Sequence, residues 1–364
     1  MTINELARTL ADRGHALWYI RTTALDSLHG IRAPRAVLEL GTDAELVELA
    51  RALDQIEYPG FPMESARFTT DSGQRISISC HLEDAPPPPY MELDARVPVV
   101  GDKPQGLFFD EQSPGQALPA GTRPGSNCPP ARAACEAARL IARYGYRPPP
   151  AIPVSGAAGL PKTVLRELLT DILSARAVGL ALDWLHKTGF LTDAFPELSG
   201  LHAVSHHKDF HPEGDLWPHT MHALENAAGK SPVLSLAVLL HDIGKPEAVR
   251  YGGRERPFDG HADIGASLAI RFLKRLEYDS KTTATVGWLV RHHMMPAALE
   301  ELPLFRSEPV LSSPDFPVLL DLYEADTAAT FRPPESTQSA RSFYQRWLKN
   351  SRNPWRNPDG SPRR

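Results

Sequence analysis

The chain has 364 residues, of which 42% are hydrophobic, and its formal net charge at pH 7 is −5. This length predicts two or three domains with sizeable cores, and the acidic balance argues against a protein whose whole surface binds nucleic acid. No apolar run approaches the roughly 18 residues that a membrane-spanning helix needs. Three cysteines without metal-ligand spacing, and an N-terminus without a signal peptide, favour a cytoplasmic protein.

The order of the predicted elements divides the chain into four segments. The first contains alternating strand patterns, such as Arg75–Cys80, and is predicted to be α/β. Helical patterns dominate the second and third segments, and prolines and arginines the last. Proline clusters at Pro86–Pro89 and Pro148–Pro150 mark loops or boundaries, because proline disrupts helices and central strands. The predicted segments are residues 1–115, 116–200, 201–330 and 331–364.

The most informative motif is His241-Asp242, which follows the apolar run Val233–Leu240. A helix that is apolar all round is buried, so both side chains of the pair lie at the end of a central helix and can reach one cation. Further histidines and carboxylates flank this pair in the sequence: His219, His261, His292, His293 and Asp326. Neutral imidazoles and carboxylates are ligands for a divalent metal that activates water.

The flanking candidates have predicted places on helices. Asp215 is predicted to cap a helix that carries His219 in its first turn. His261 opens an amphipathic helix of its own. The remaining candidates lie on predicted helices over residues 281–293 and 316–330, the first of which delivers its histidines at its end. The sequence therefore predicts a helical domain that gathers these side chains around its central helix.

The order of His219, His241-Asp242 and Asp326 resembles the metal-binding pattern of the HD superfamily of metal-dependent phosphohydrolases. This resemblance implies that these four residues are ligands of one cation. Their mixed imidazole and carboxylate donors suit Mn, Fe, Co, Ni, Zn or, with fewer histidines, Mg. The metal identity stays open at this point.

Dinuclear members of the superfamily use additional histidines, and the resemblance places His261 and His293 in that role, with Asp242 bridging two cations. His293 is preferred to the adjacent His292 because the family spacing favours it. Whether one or two cations bind stays open. For catalysis, the resemblance implies that Lys245 contacts the transferring phosphoryl group. Proton transfer, or the orientation of a ligand, would fall to the following two residues: Asp215 and His211.

A closer resemblance is to the bacterial tRNA nucleotidyltransferases, the CCA-adding enzymes, and their poly(A) polymerase relatives. The matching segments are His211–Thr220, Leu239–Pro246 and Phe258–His261. The resemblance covers roughly residues 195–330 well and the upstream segments more faintly. It implies an α+β protein with a nucleotidyltransferase-like α/β head, a helical neck and an all-α HD domain.

The head departs from the family motif at the residues that carry its chemistry. The segment Ile20–Gly30 keeps the frame of the motif, but Arg21 and Thr22 stand where the family has two glycines. Glycines there let the backbone approach a triphosphate closely. The family's Asp-x-Asp falls on Val37-Leu38-Glu39, so Val37 and Glu39 would have to supply the two metal-binding carboxylates on one strand face. We therefore expect a degenerate, inactive head.

The leading hypothesis is an HD phosphohydrolase that acts on a nucleotide-type phosphoester, with 2′,3′-cyclic phosphodiesters and nucleotides as the substrate class that the resemblance implies. One alternative is a working tRNA nucleotidyltransferase or poly(A) polymerase. Another is a non-catalytic RNA-binding protein that holds RNA or tRNA through its head and its basic C-terminal segment. That segment has seven basic residues between Arg341 and Arg364, and Tyr344, Trp347 and Trp355 interleave with them. The alternative interpretation is a solvated terminus with Trp347 docked on the body.

Overall fold

The computed structural model describes residues 1–31, 37–58, 65–80, 96–100, 129–202, 216–251, 258–330, 335–353, 355–358 and 360–361. The chain divides into two compact units, Met1–Pro150 and Ala151–Arg364. The first unit is mixed α/β and the second is helical, so the predicted α+β class is confirmed. The division into four segments stays a prediction.

The first unit contains a mixed sheet of five strands among its described residues, in the order β3-β4-β2-β1-β5. Strand β2 pairs parallel with β4, and the other neighbours pair antiparallel. The strands are β1 Leu17–Ile20, β2 Val37–Thr42, β3 Ala66–Thr69, β4 Arg75–Ser79 and β5 Arg96–Pro98. The helices are α1 Ile3–Ala11, α2 Arg21–Leu28, α3 Leu46–Ala52 and α4 Pro130–Tyr144.

Alternation of apolar and polar residues positions this sheet. On β4, Ile76 and Ile78 are fully buried, and Leu40 of the neighbouring β2 joins them in one core with residues of α1 and α3. The predicted strand over residues 75–80 is thereby confirmed as β4. Helix α4 carries Arg143, which forms a buried ion pair with Asp26 of α2; Arg143 Nε lies 2.5 Å from Asp26 Oδ1. That pair ties the C-terminal end of α4 to α2.

The second unit is built from eleven helices among its described residues. They are α5 Lys162–Leu173, α6 Val178–Lys187, α7 Phe190–Ala194, α8 Leu216–Ala227, α9 Pro232–Leu240, α10 Lys245–Tyr251, α11 His261–Arg275, α12 Ser280–His292, α13 Leu304–Leu311, α14 Phe316–Ala328 and α15 Glu335–Ser351. Short 3₁₀ turns connect some of them. No helix of the described residues combines the length and apolar character that crossing a bilayer requires.

Helix α9 is the centre of the second unit, as its sequence predicts. Residues Leu234–Leu240 are all buried, and α9 contacts α8, α12 and α14. Ser231 caps the helix by accepting a hydrogen bond from the Leu234 backbone at 3.1 Å, and Pro232 occupies the first turn. The helix ends at His241, so the central element of the unit delivers the motif directly into the interior.

The C-terminal segment contains a helix that the sequence analysis did not predict. Helix α15 packs on α14: the Tyr344 and Phe316 ring centroids lie 4.6 Å apart, and Arg341 bonds Asp321 at 2.7 Å. Trp347 is 8% exposed, so the expectation that it docks on the body is confirmed. Proline and arginine content obscured the helix, although the residues from Glu335 to Ser351 contain no proline.

Candidate metal centre

Five helices bring the predicted ligands together. His219 lies on α8 and Asp326 on α14, while His241-Asp242 follows α9 directly. His261 is the first residue of α11, and His293 follows the last residue of α12. The helix placements predicted for these side chains are confirmed. They could be predicted because the apolar periodicity of each helix is visible in the sequence.

One half of the cluster surrounds the Asp326 carboxylate. Asp326 Oδ1 lies 2.9 Å from His219 Nε2 and 3.6 Å from His241 Nε2. His241 Nε2 in turn lies 3.3 Å from Asp242 Oδ2. Ligand atoms of His219, His241 and Asp242 all lie within 4.8 Å of one another, and the three residues are buried. These three side chains could hold one cation between them, and Asp326 contacts two of the three.

The other half of the cluster shares Asp242 with the first. Asp242 Oδ1 lies 3.6 Å from His261 Nε2 and 3.8 Å from His293 Nε2. These three side chains form a second group whose ligand atoms lie within 4.8 Å of one another. The two carboxylate oxygens of Asp242 thus face different sets of histidines, which is the arrangement that a carboxylate bridging two cations needs.

Backbone carbonyls fix the orientation of three of the imidazoles. The Nδ1 atoms of His241 and His293 donate to the carbonyls of Val238 and Val290, each at 2.7 Å, and His261 Nδ1 donates to Phe258 O at 2.8 Å. A carbonyl only accepts, so Nδ1 carries the proton and the neutral ring has its lone pair on Nε2. All three Nε2 atoms face into the cluster.

This tautomer makes the Nε2 contact between His261 and His293 informative. The two atoms lie 3.2 Å apart, and in neutral rings both present lone pairs. Burial lowers the pKa of both rings, that of His293 to about 4 with the help of the neighbouring His241 charge. Two facing lone pairs repel unless an electrophile lies against both, so the donor set fits a cation.

The charges of the ion-free cluster also indicate a cation site. Burial disfavours a charged imidazole at His241, but the Asp242 and Asp326 carboxylates outweigh it and raise the pKa of His241 to about 10. Burial likewise opposes ionisation of both carboxyls, yet the surrounding positive groups hold their pKa values well below the usual range. Among the described residues, His241 Nε2 and Asp242 Oδ1 are buried without a hydrogen-bond partner.

Lys245 lies at the edge of the cluster, as its position three residues after Asp242 predicts. Its Nζ atom donates to Asp242 Oδ2 at 2.6 Å and lies 5.3 Å from the centroid of the Phe258 ring. His292 lies apart from the ligand groups: its Nδ1 donates to Trp288 O at 2.8 Å. Two further predicted site residues lie outside the described residues: His211 and Asp215.

Gly244 closes the turn between the motif and α10, and the sequence analysis assigned it no role. A Cβ atom at this position would overlap the carbonyl oxygen of His261 and lie 2.5 Å from the Gly265 nitrogen. The start of α11 therefore approaches the turn more closely than any side chain would permit. The signal available in the sequence was the glycine itself, directly after the ligand pair.

In the first unit, the two positions where the family motif has paired carboxylates hold only one carboxylate. Val37 and Glu39 lie two residues apart on β2, as predicted, and only Glu39 is acidic. Its carboxylate accepts from Thr22 Oγ1 at 2.7 Å and pairs with Arg21 Nη1 at 3.3 Å. Arg21 has a φ of 50°, a left-handed conformation that suits the glycine of the family motif and is costly for arginine.

The chain is similar to several known proteins. Residues 218–327 match the HD domain family. Over 211 residues, the chain is 34% identical to a CC-adding tRNA nucleotidyltransferase of Thermus thermophilus, a match that covers 54% of this chain and 44% of that protein. Residues 218–327 are an HD domain, and the chain is a relative of the tRNA nucleotidyltransferases. The predicted family is thereby confirmed.

Two further comparisons define how far the relationship extends. The chain is 30% identical over 183 residues to a multifunctional CCA protein of Nitrosococcus oceani, covering 46% of this chain and 43% of that protein. A crystal structure of the Bacillus stearothermophilus CCA-adding enzyme in complex with CTP matches with a TM-score of 0.53 at 15% identity, covering 96% of this chain and 84% of that chain. The matches thus span less than half of these curated relatives' length, and the structural match shows the fold alone.

Proposed function

We propose that the HD domain is a metal-dependent phosphohydrolase that acts on a nucleotide-type phosphoester. The carrying observation is that five residues form two groups of buried donors that share Asp242, while Asp326 contacts two of the histidines; backbone carbonyls orient three of the imidazoles. The proposed ligands of the first cation are His219, His241, Asp242 and Asp326. The proposed ligands of the second are Asp242, His261 and His293.

The residues of the chain would divide the work around the bound cation. A divalent cation in such a site acidifies water and holds phosphoryl oxygens. His241, His261 and His293 would hold it through Nε2, because their Nδ1 protons are engaged by carbonyls. Lys245, whose ammonium group donates to Asp242 Oδ2, would supply positive charge to the phosphoryl oxygens of the transition state. For Asp215 and His211 we keep the proposed part in proton transfer or ligand orientation.

Cation binding is expected to release about one proton per chain between pH 7 and 9. With a pKa of about 10, His241 is protonated in the ion-free chain at these pH values, and it must lose that proton to become a ligand. The lowered pKa values of His261 and His293 leave those rings neutral already. The apparent affinity should then rise about tenfold per pH unit. Calorimetry in buffers of different ionisation enthalpy counts the protons, and a count of zero would contradict a protonated His241 in the metal-free protein.

Metal-restored turnover is the direct test of the proposed reaction. The protein would be stripped with a chelator and refilled with Mn²⁺, Ni²⁺, Co²⁺ or Mg²⁺. Conversion of 2′,3′-cyclic AMP to AMP would then be followed by chromatography, and phosphate release would be measured from an aryl phosphate and a panel of nucleotides. We expect turnover that disappears with the chelator and returns with one or more of these ions. Stoichiometric metal without turnover on any substrate would contradict the hydrolase and favour a non-catalytic role.

The second candidate is nucleotide transfer to tRNA, which the names of the relatives favour more directly than they favour hydrolysis. The head argues against it, since Val37 cannot bind a metal and Glu39 is held by Arg21 and Thr22. Incorporation of CMP or AMP into a tRNA that lacks its 3′ end separates the two candidates. We expect none, and incorporation that is lost in Glu39→Ala would establish the head as active.

RNA remains a proposed partner on the strength of the C-terminal segment. Trp355 is 79% exposed, and basic side chains precede and follow it in the sequence at Lys349, Arg352 and Arg356. In such segments, exposed aromatic rings stack on the bases of single-stranded RNA, and the basic side chains beside them neutralise its phosphates. This proposal is independent of the HD site, and steep salt dependence of RNA binding would be its signature.

A further inference from the structure

The Asp242 carboxylate is divided between a bare oxygen and an oxygen that an internal cation already occupies. Asp242 Oδ1 has no hydrogen-bond partner among the described residues and faces His261 and His293. Asp242 Oδ2 accepts from Lys245 Nζ at 2.6 Å and lies 3.3 Å from His241 Nε2. The two oxygens of one side chain therefore differ in charge compensation.

Lys245 is held in this position from several sides. Its side chain is 11% exposed, and its ammonium group lies 5.3 Å from the centroid of the Phe258 ring. Phe258 also accepts, through its carbonyl, the proton of His261 Nδ1. The same residue thus supports both a proposed ligand and the lysine that neutralises Asp242, so that the lysine is part of the site's construction.

A metal ion and an ammonium group compete for one carboxylate oxygen. Like charges a few ångströms apart repel strongly in a buried site, because little water screens them. A cation bound to Asp242 Oδ2 would occupy the same side of the carboxylate that Lys245 Nζ contacts at hydrogen-bond distance. Occupation by both is disfavoured, and one of the two must give way.

We propose that Lys245 is the internal counterion of the ion-free site and is displaced from Asp242 when a divalent cation binds. This inference rests on the proposed function, because it assumes that the cluster is a metal site. Displacement frees the ammonium group to contact a substrate phosphoryl group only once the cation is present. Lys245 thus neutralises Asp242 in the metal-free protein and becomes available to the substrate when the cation binds.

The test measures Mn²⁺ affinity directly, without any substrate. Lys245→Met keeps the apolar stem and removes the charge, and we expect it to bind Mn²⁺ about tenfold more tightly or better, with unchanged stoichiometry. Lys245→Arg retains the charge and should bind close to the native affinity. Lys274→Met, which removes an exposed lysine from α11 of the same domain, is the control and should leave the affinity unchanged.

Melting curves with chelator and with Mn²⁺ guard against misfolding of the variant. Removing Lys245 leaves Asp242 less compensated without metal, so Lys245→Met should melt at a lower temperature in chelator and gain more from Mn²⁺ than the native chain. Unchanged or weaker Mn²⁺ binding in a folded Lys245→Met would overturn the inference. The readout of this test is metal binding. Tighter binding in Lys245→Met without any hydrolysis by the native protein would therefore support the inference on Lys245 and contradict the proposed reaction.

Discussion

Asp242→Asn is expected to abolish both metal binding and phosphate release while leaving the first unit folded. The side chain forms close charged contacts with His241, Lys245, His261 and His293, and its two oxygens serve two groups of ligands. Loss of about 4 kcal/mol of transition-state stabilisation would reduce kcat/KM by about a thousandfold. Steady-state assays and metal analysis of the purified variant measure the two effects.

The matched control for this change is Asp263→Asn. Asp263 belongs to the first turn of α11, two residues after His261, and its side chain is 76% exposed and paired with Arg291 at 3.1 Å. An exposed pair of this kind contributes about 0–1 kcal/mol, so activity and metal content should be native. If Asp242→Asn retained full metal content and turnover, the assignment of the site itself would be wrong.

Gly244→Ala is expected to destabilise the HD domain by about 3 kcal/mol and to lower its metal content, although it adds one methyl group. The obstacle is backbone: the added Cβ would meet the His261 carbonyl oxygen and the Gly265 nitrogen, which cannot rotate away. Relief requires α11 to shift, and His261 is its first residue. Thermal unfolding followed by circular dichroism, with and without Mn²⁺, checks both consequences.

Gly159→Ala provides the comparison for this backbone effect. Gly159 ends a 3₁₀ turn in the same unit, and a Cβ there would meet nothing within 4 Å. Its φ lies outside the left-handed region, so alanine should be neutral or slightly stabilising. Equal unfolding temperatures for the two variants would show that the contact between the turn and α11 relaxes at no cost.

Much of the candidate site was predictable because it depends on residue types and apolar periodicity. His241-Asp242 had to lie in the interior, since the run Val233–Leu240 has no polar face except Ser235. His261, at the start of an amphipathic pattern, and Asp326, beside Leu319 and Leu320, followed from the same reasoning. The predicted helices that carry these side chains had one central apolar helix to pack against, which is why the sequence predicts the cluster.

Other features depend on the backbone and were not predictable from residue types. The carbonyls of Val238, Phe258 and Val290 select the imidazole tautomers, and every residue carries a carbonyl. The pairing of Lys245 with Asp242 required the exact course of the turn between α9 and α10. Likewise, the sequence showed that Glu39 lacks an acidic companion on β2, but only the structure shows that Arg21 and Thr22 bind it.

The pairing of Arg21 with Glu39 implies that the stability of the two units depends differently on metal. In the head, the Glu39 carboxylate is paired with the guanidinium of Arg21, a positive charge that no chelator removes. In the HD domain, the proposed cation would take the place of the positive charges that His241 and Lys245 hold beside Asp242. When metal is scarce, we expect the head to keep its full stability while the HD domain loses part of its own. Only the HD domain should then unfold more readily.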